Sequence, residues 1–240
     1  MTQTRLLKSA AALTAFVAII LAGMVNSSKR VGARVEDTSD QREESRIRRG
    51  FEIAPVPLNL QGKNRALVGL GSYIVNAVGD CNGCHSAGPP TEFASPAGNP
   101  YLLSPPFAGK AEINTSNYLG GGRDFGPFGA PPQIPHLYSR NLTPDKTGMP
   151  AGGHTYDEFV EIMRQGTDFD HVHPSCTGPG TPVNCLAPPF NGELLQVMRW
   201  PFFRNMTDHE LRAIYEYLSA VPCNPGKVIA GAPYLQNVCE

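Results

Sequence analysis

The sequence predicts a mostly α domain whose helices are joined by long Gly/Pro-rich loops, and three observations predict it. Apolar residues recur at helical spacing in three segments, and two of these open on the Thr-x-x-Glu pattern that caps a helix. The 240 residues include 25 Gly and 23 Pro, which requires much irregular backbone. No apolar/polar alternation runs long enough to seed a sheet.

At the start of the chain, Arg5 and Lys8 precede a nearly uncharged apolar run over residues 9–25. Residues 1–28 are therefore expected to be a signal peptide or an N-terminal membrane anchor, with membrane association through residues 9–25. Either reading places the rest of the chain outside the cytoplasm, in the periplasm or on the outer face of the cytoplasmic membrane. Residues 29–60 read as a polar tether and lead-in. Within it, residues 29–50 carry seven basic and five acidic side chains and no aromatic, so a flexible spacer is expected. A helix over 39–49 would have too few apolar residues to bury a face.

Residues 61–240 form the domain. The first helix is expected over 64–79, with Leu67, Leu70, Tyr73 or Ile74, and Ala77 at helical spacing and with Gly69 and Gly71 permitting close approach of another helix. Residues 87–136 are rich in Pro, Gly, Ser and Asn but also hold Phe93, Tyr101, Phe107, Tyr118, Phe125 and Phe128. So many aromatics imply an ordered covering loop. Thr155 with Glu158 opens a helix that Gly166 ends, and Thr207 with Glu210 opens a last helix that stops before Pro222.

Between the first helix and the long loop lies Cys81-Asn82-Gly83-Cys84-His85, the C-x-x-C-H pattern of c-type haem attachment. Two neighbouring thiols can each add to a porphyrin vinyl group, and the adjoining imidazole reaches the iron from one face. One such pattern implies one covalent haem c and one iron. A thioredoxin-like dithiol would want a preceding strand, whereas a helix precedes this motif.

The second axial ligand must come from elsewhere. Met198 sits in Gln196-Val197-Met198-Arg199-Trp200-Pro201-Phe202-Phe203, where a thioether shielded by Trp200 and Phe203 would favour the reduced ion. Metal ligation is therefore assigned to His85 and Met198. Met163 reads as core and Met206 as packing before the final cap. His171 and His173 read as a solvated turn, and His154 and His209 as surface residues. Cys176, Cys185, Cys223 and Cys239 suggest two disulfides in an exported chain. Three pairings are open, and the local one, Cys176 with Cys185 and Cys223 with Cys239, is expected.

Three ordered motifs carry a family resemblance: Gly71-Ser72-Tyr73-Ile74-Val75 before the haem motif; Asn141-Leu142-Thr143-Pro144-Asp145 with Thr147-Gly148, Phe159, Arg164 and Gly166; and Met198, Pro201, Phe203, Met206 and Thr207 before the last helix. The chain resembles the class I cytochrome c family, particularly bacterial periplasmic cytochrome c domains of the dehydrogenase-subunit type. The resemblance implies a class I cytochrome c fold around one covalent haem. It further implies that the region of Asn141 and Thr143 hydrogen-bonds a haem propionate. Arg199 stands where the family's ligand Met is usually followed by Pro.

The expected role is electron transfer, one electron at a time, between redox proteins outside the cytoplasm, with a donor and an acceptor as partners and with no substrate of its own. Attachment to a dehydrogenase or oxidase complex as its cytochrome subunit is an alternative. Peroxide or small-oxide reduction, or gas sensing, would instead need an open sixth site. Residues 51–240 hold eleven basic and sixteen acidic side chains, a balance of −5, which disfavours nucleic acid and favours a partner with a basic face.

Overall fold

The structure, a computed structural model, describes residues 38–93, 98–103, 110–129, 134–230, 232 and 235–239. The chain divides into two compact units, residues 1–45 and 46–240. In the first, residues 38–45 are helical and exposed. The expected signal or anchor lies outside the described residues. Among those described, no helix is long and apolar enough to cross a membrane.

The second unit is a mostly helical domain. It opens on helical residues 46–53 (α1), where a flexible spacer was expected. Ile47 and Phe51, four residues apart, pack on the core, while Gly50 between them is buried. A Cβ on Gly50 would collide with the Gly69 carbonyl, so the contact is between backbones. Two apolar side chains and a glycine make too narrow a stripe to stand out by periodicity.

Helix α2, Arg65–Tyr73, is capped by Asn64, whose side chain accepts from the N–H groups of Ala66 and Leu67. It runs into a π-helical turn, Ile74–Val78, which ends on Gly79. The haem-type motif itself forms a short helix, Cys81–His85 (α3), and Pro89–Glu92 forms α4. Two capping boxes are formed as expected: Thr155 with Glu158 at the start of Tyr156–Gln165 (α5), and Thr207 with Glu210 at the start of Asp208–Leu218 (α7). Gly166, at φ 76°, closes α5 in the left-handed conformation. Between them lies the short α6, Trp200–Phe203.

The frame of the domain is the crossing of α2 and α7. At Gly71 a Cβ would run into the Ala213 carbonyl, so the two helices meet backbone to backbone. Val68, Leu70 and Val75 on one side meet Leu211, Ile214 and Leu218 on the other, and Phe159 and Met163 of α5 extend the core. The two buried tyrosine hydroxyls of this core are paired: Tyr118 Oη donates to Asn76 Oδ1 at 2.6 Å and lies 2.7 Å from Tyr217 Oη.

A two-stranded antiparallel ribbon, Asp124–Pro127 (β1) with His136–Tyr138 (β2), corrects the expectation of no sheet. Four and three residues, one strand holding Gly126 and Pro127, are too short to show alternation. Both disulfides have the local pairing, Cys176–Cys185 and Cys223–Cys239. The long loop is mixed in character. Tyr118 is buried, yet Tyr101 is 79% exposed, and Phe107 lies outside the described residues.

Candidate haem-binding site

The π-turn and the left-handed Asp80, at φ 46°, swing the chain so that Cys81–His85 begins a new helix at the edge of a cavity. One loop then fixes the motif from three sides. Leu119 N donates to Asn82 Oδ1 at 2.9 Å, Arg123 Nη1 donates to the Gly83 carbonyl at 2.7 Å, and Gly121 N donates to the His85 carbonyl at 2.8 Å.

Cys81 and Cys84 are free thiols, and both line the cavity. Burial, then the charges of Asp80 and Cys84, pushes the Cys81 thiol up to about 12.

His85 Nδ1 lies 2.8 Å from the Arg140 carbonyl. A carbonyl only accepts, so Nδ1 carries the hydrogen and Nε2 keeps its lone pair. Burial, outweighing the hydrogen bond to Arg140, lowers the imidazole below its ordinary value and keeps it neutral. This is the form that binds a metal.

The cavity has a volume of about 330 Å³. Its wall is largely apolar, with Ile74, Phe125, Leu137, Leu142, Phe159 and Leu186 among its members. Met163, Met198 and Met206 all line it, so Met163 and Met206 are cavity residues as well as packing ones. Met198 lies in the irregular segment before α6. That segment is held where Leu195 N donates to the Gly166 carbonyl at 2.7 Å and Trp200 Nε1 donates to the Leu195 carbonyl at 3.0 Å. Phe203 lines the cavity beside Met198, whereas Trp200 packs over Gly166 and braces the segment from behind.

Two thiols, an imidazole with its Nδ1 anchored, a thioether lining the same cavity and an apolar surround are a donor set that fits a covalently attached porphyrin. Among the described residues no group of three His, Cys, Asp or Glu could hold a bare metal ion. A porphyrin iron asks the protein for no more than two ligands.

The structure does not bring Asn141 and Thr143 to the cavity. Asn141 is 1% exposed and donates from Nδ2 to the Asn224 carbonyl at 2.9 Å, while its Oδ1 accepts from Thr143 N and Oγ1. Thr143 Oγ1 accepts from Asn224 N, and its carbonyl accepts from Asn237 Nδ2. Their polar atoms thus tie the turn to the tail that Cys223–Cys239 closes. The cavity instead receives their neighbours Arg140 and Leu142.

Sequence reasoning missed Arg140, Asp168 and His173. Arg140 Nη2 donates to Asp168 Oδ1 at 2.7 Å, and all three residues line the cavity. His173, expected in a solvated turn, is half-buried, and burial lowers its imidazole. The Cys176–Cys185 loop folds it inward: Leu186 N donates to the Pro174 carbonyl, and Asn184 Nδ2 donates to the Val172 carbonyl. His154 is likewise not a surface residue, lying half-buried near Glu158 and Asp170. The separations involved, 28 and 55 residues for the contacts of Arg140, leave no local signal.

No protein-family profile matches this chain, and no solved structure matches it. Over 156 residues, 64% of its length, it is 28% identical to the gluconate 2-dehydrogenase cytochrome c subunit of Pantoea cypripedii. Over 152 residues it is 28% identical to the cytochrome c subunits of alcohol dehydrogenase (quinone) from Gluconacetobacter polyoxogenes and Komagataeibacter europaeus. The chain is a distant homologue of dehydrogenase cytochrome c subunits. It spans about a fifth of the length of these relatives, the matched parts being 23% and 21% of them.

Proposed function

We propose that this chain is a one-electron carrier with a class I cytochrome c fold, in which Cys81 and Cys84 hold one haem c and His85 and Met198 occupy the two axial positions of its iron. The observation that carries this reading is the C-x-x-C-H helix, with its imidazole anchored through Nδ1 on a cavity that Met198 also lines. When bound, the haem supplies a ferric/ferrous couple. The protein's part is to hold it, exclude water and tune it.

The Arg140 carbonyl orients His85. The apolar wall keeps water from the iron, and the Trp200 brace positions the Met198 segment. Asn141 and Thr143 act as positioning residues: they pin the turn that follows Arg140 to the tail, and through it the His85 anchor. With both axial positions filled, the chain passes electrons without binding a substrate.

The relatives' names support a dehydrogenase complex as the redox partner, either feeding the carrier or incorporating it as a subunit. The acidic domain favours a partner with a basic face. Two disulfides support a place outside the cytoplasm, with residues 9–25 as the candidate signal or attachment.

The test is expression with a haem-attachment system, followed by extraction with acidified organic solvent and intact mass measurement. One haem is expected to stay on the chain and to be lost from a C81A/C84A variant. A wild-type chain without bound haem, or one whose haem extracts freely, would contradict the proposal.

A further inference from the structure

The core holds a closed ring of hydrogen bonds that the proposed function, on which this inference rests, does not use. Tyr118 Oη donates its hydrogen to Asn76 Oδ1 at 2.6 Å, so at its 2.7 Å contact with Tyr217 Oη it accepts. Tyr217 Oη in turn accepts from Asn76 Nδ2 at 3.2 Å. Asn76 Nδ2 also donates to Ser72, whose Oγ donates to the Gly50 carbonyl at 2.7 Å. The ring thus joins α7, the π-turn and the loop that carries Tyr118, and Ser72 extends it to α1. Both tyrosines are buried, where an unpaired hydroxyl is costly, so the side chains hold one another in a single arrangement.

Asn76 sits inside the π-turn Ile74–Val78, where Gly79 N donates to the Ile74 carbonyl at 2.7 Å, spanning one residue more than an α-turn. In an unbroken α-helix Ala77 and Val78 would follow Ile74 into the core; here both are exposed, Val78 at 62%. Relaxation of the turn to α register would rotate the chain after it by about 100°. Cys81 is the first functional side chain to be carried round. Its Sγ lies over the backbone of Gly79, where a Cβ would stand 3.3 Å from it, and both ring hydroxyls are within electrostatic reach of it. The later residues of the motif are gripped separately, through Asn82, Gly83 and His85, so a change in the turn falls on the junction at Cys81.

We propose that the ring of Asn76, Tyr118 and Tyr217 positions Cys81 for its thioether bond by holding the π-turn in register. In forming that bond the thiol adds across a vinyl double bond, sulfur to one carbon and hydrogen to the other, so no oxidant is consumed and no group leaves. Asn76 couples the turn to the ring, and Tyr118 and Tyr217 act through it.

The test uses the full chain expressed with a haem-attachment system as wild type, Asn76→Leu and Tyr118→Phe, then denatured without reductant and alkylated with iodoacetamide. Both disulfides stay closed under these conditions, so the label reports on Cys81 and Cys84. Wild type is expected to take no label. Each variant is expected to gain a population with covalent haem and a single label, which fragment masses place on Cys81. Its reduced visible band moves to longer wavelength, because one vinyl group stays conjugated. Thr155→Ala, which loses the cap of α5 and no ring atom, is expected to take no label, so general destabilisation does not mimic the effect. Unlabelled N76L and Y118F, a label on Cys84 instead of Cys81, or a labelled T155A overturns the inference. Should N76L yield no holoprotein, Y118F, which removes one oxygen, decides. Loss of all haem from both variants overturns the inference too, since the ring would then support the fold and not the position of one thiol. A wild type without covalent haem overturns the proposed function and this inference together, whereas doubly attached haem in wild type and variants alike overturns this inference alone.

Discussion

The crossing of α2 and α7 and the loop wall of the cavity solve one problem, placing side chains around the cavity, by opposite means. At the crossing, backbones touch at Gly71, apolar faces interlock, and the helix starts carry their own caps. In the wall, position depends on bonds between residues far apart in sequence: His85 to Arg140, Arg140 to Asp168, and Leu195 to Gly166. The frame is thus specified locally and carries the attachment motif. The wall is specified by closure of the whole chain and carries the polar tuning. Variants should separate the two, with frame changes abolishing the holoprotein and wall changes altering its chemistry while leaving it assembled.

The largest effect is expected at Gly71. In Gly71→Val the side chain meets the Ala213 backbone, which has no flexible end to give way. A loss of about 3 kcal/mol or more is predicted, as a lower denaturant midpoint and poor haem retention. Wild-type stability in G71V would break the account of the frame.

Next is the disulfide that shapes the wall. Removing both Cys176 and Cys185 releases a closure of sequence separation 9, with a predicted cost of about 2.6 kcal/mol by loop entropy. The C176A/C185A chain should keep covalent haem yet expose its iron to carbon monoxide more than wild type does. Loss of covalent haem in that variant would merge wall and frame.

A smaller effect is predicted for Arg140→Ala, which leaves Asp168 buried without its main partner, at about 2–3 kcal/mol in chemical denaturation of the loaded chain. The bond that anchors His85 comes from the backbone of Arg140, so the axial spectrum should persist. A changed axial spectrum would show that the side chain, and not the carbonyl, orients the ligand.

The pH dependence of the haem-free chain follows from His85 and His173, both lowered by burial in the fold. The unfolded chain binds these protons at about pH 6.5 and the folded chain at lower pH. Stability is therefore full above about 6.5 and falls as the pH drops toward the folded values, by at most about 1.4 kcal/mol per pH unit for each group. Urea midpoints between pH 5 and 8 check this, and a midpoint that rises on acidification would contradict it. The smallest effect is expected for Thr155→Ala, where the lost cap should cost about 1 kcal/mol.

This contrast also explains what was legible in the sequence. Capping boxes at Thr155 and Thr207, the left-handed Gly166 and close approach at Gly71 are written in short patterns, and the structure contains each of them. The attachment motif is equally local. His173 reads as solvated because its neighbours are Asp170, His171 and a Pro/Gly stretch; its burial comes from Asn184 and Leu186 across the disulfide loop. The resemblance implies that the region of Asn141 and Thr143 hydrogen-bonds a cofactor carboxylate, but besides bonding each other these two side chains bond Asn224 and Asn237, more than 80 residues away. Residues 46–53 escaped notice because Ile47 and Phe51 gain their burial from a partner helix whose glycines make the room.

The most direct test of a His85/Met198 electron carrier is the optical spectrum of the matured holoprotein, oxidised and reduced, with and without carbon monoxide. The account predicts the weak long-wavelength band of thioether-to-ferric-iron ligation, absent from Met198→Ala, and a reduced spectrum unchanged by carbon monoxide. Absence of the band in wild type, with rapid carbon monoxide binding, would contradict it and point to an open sixth site, as in a haem enzyme or a gas sensor.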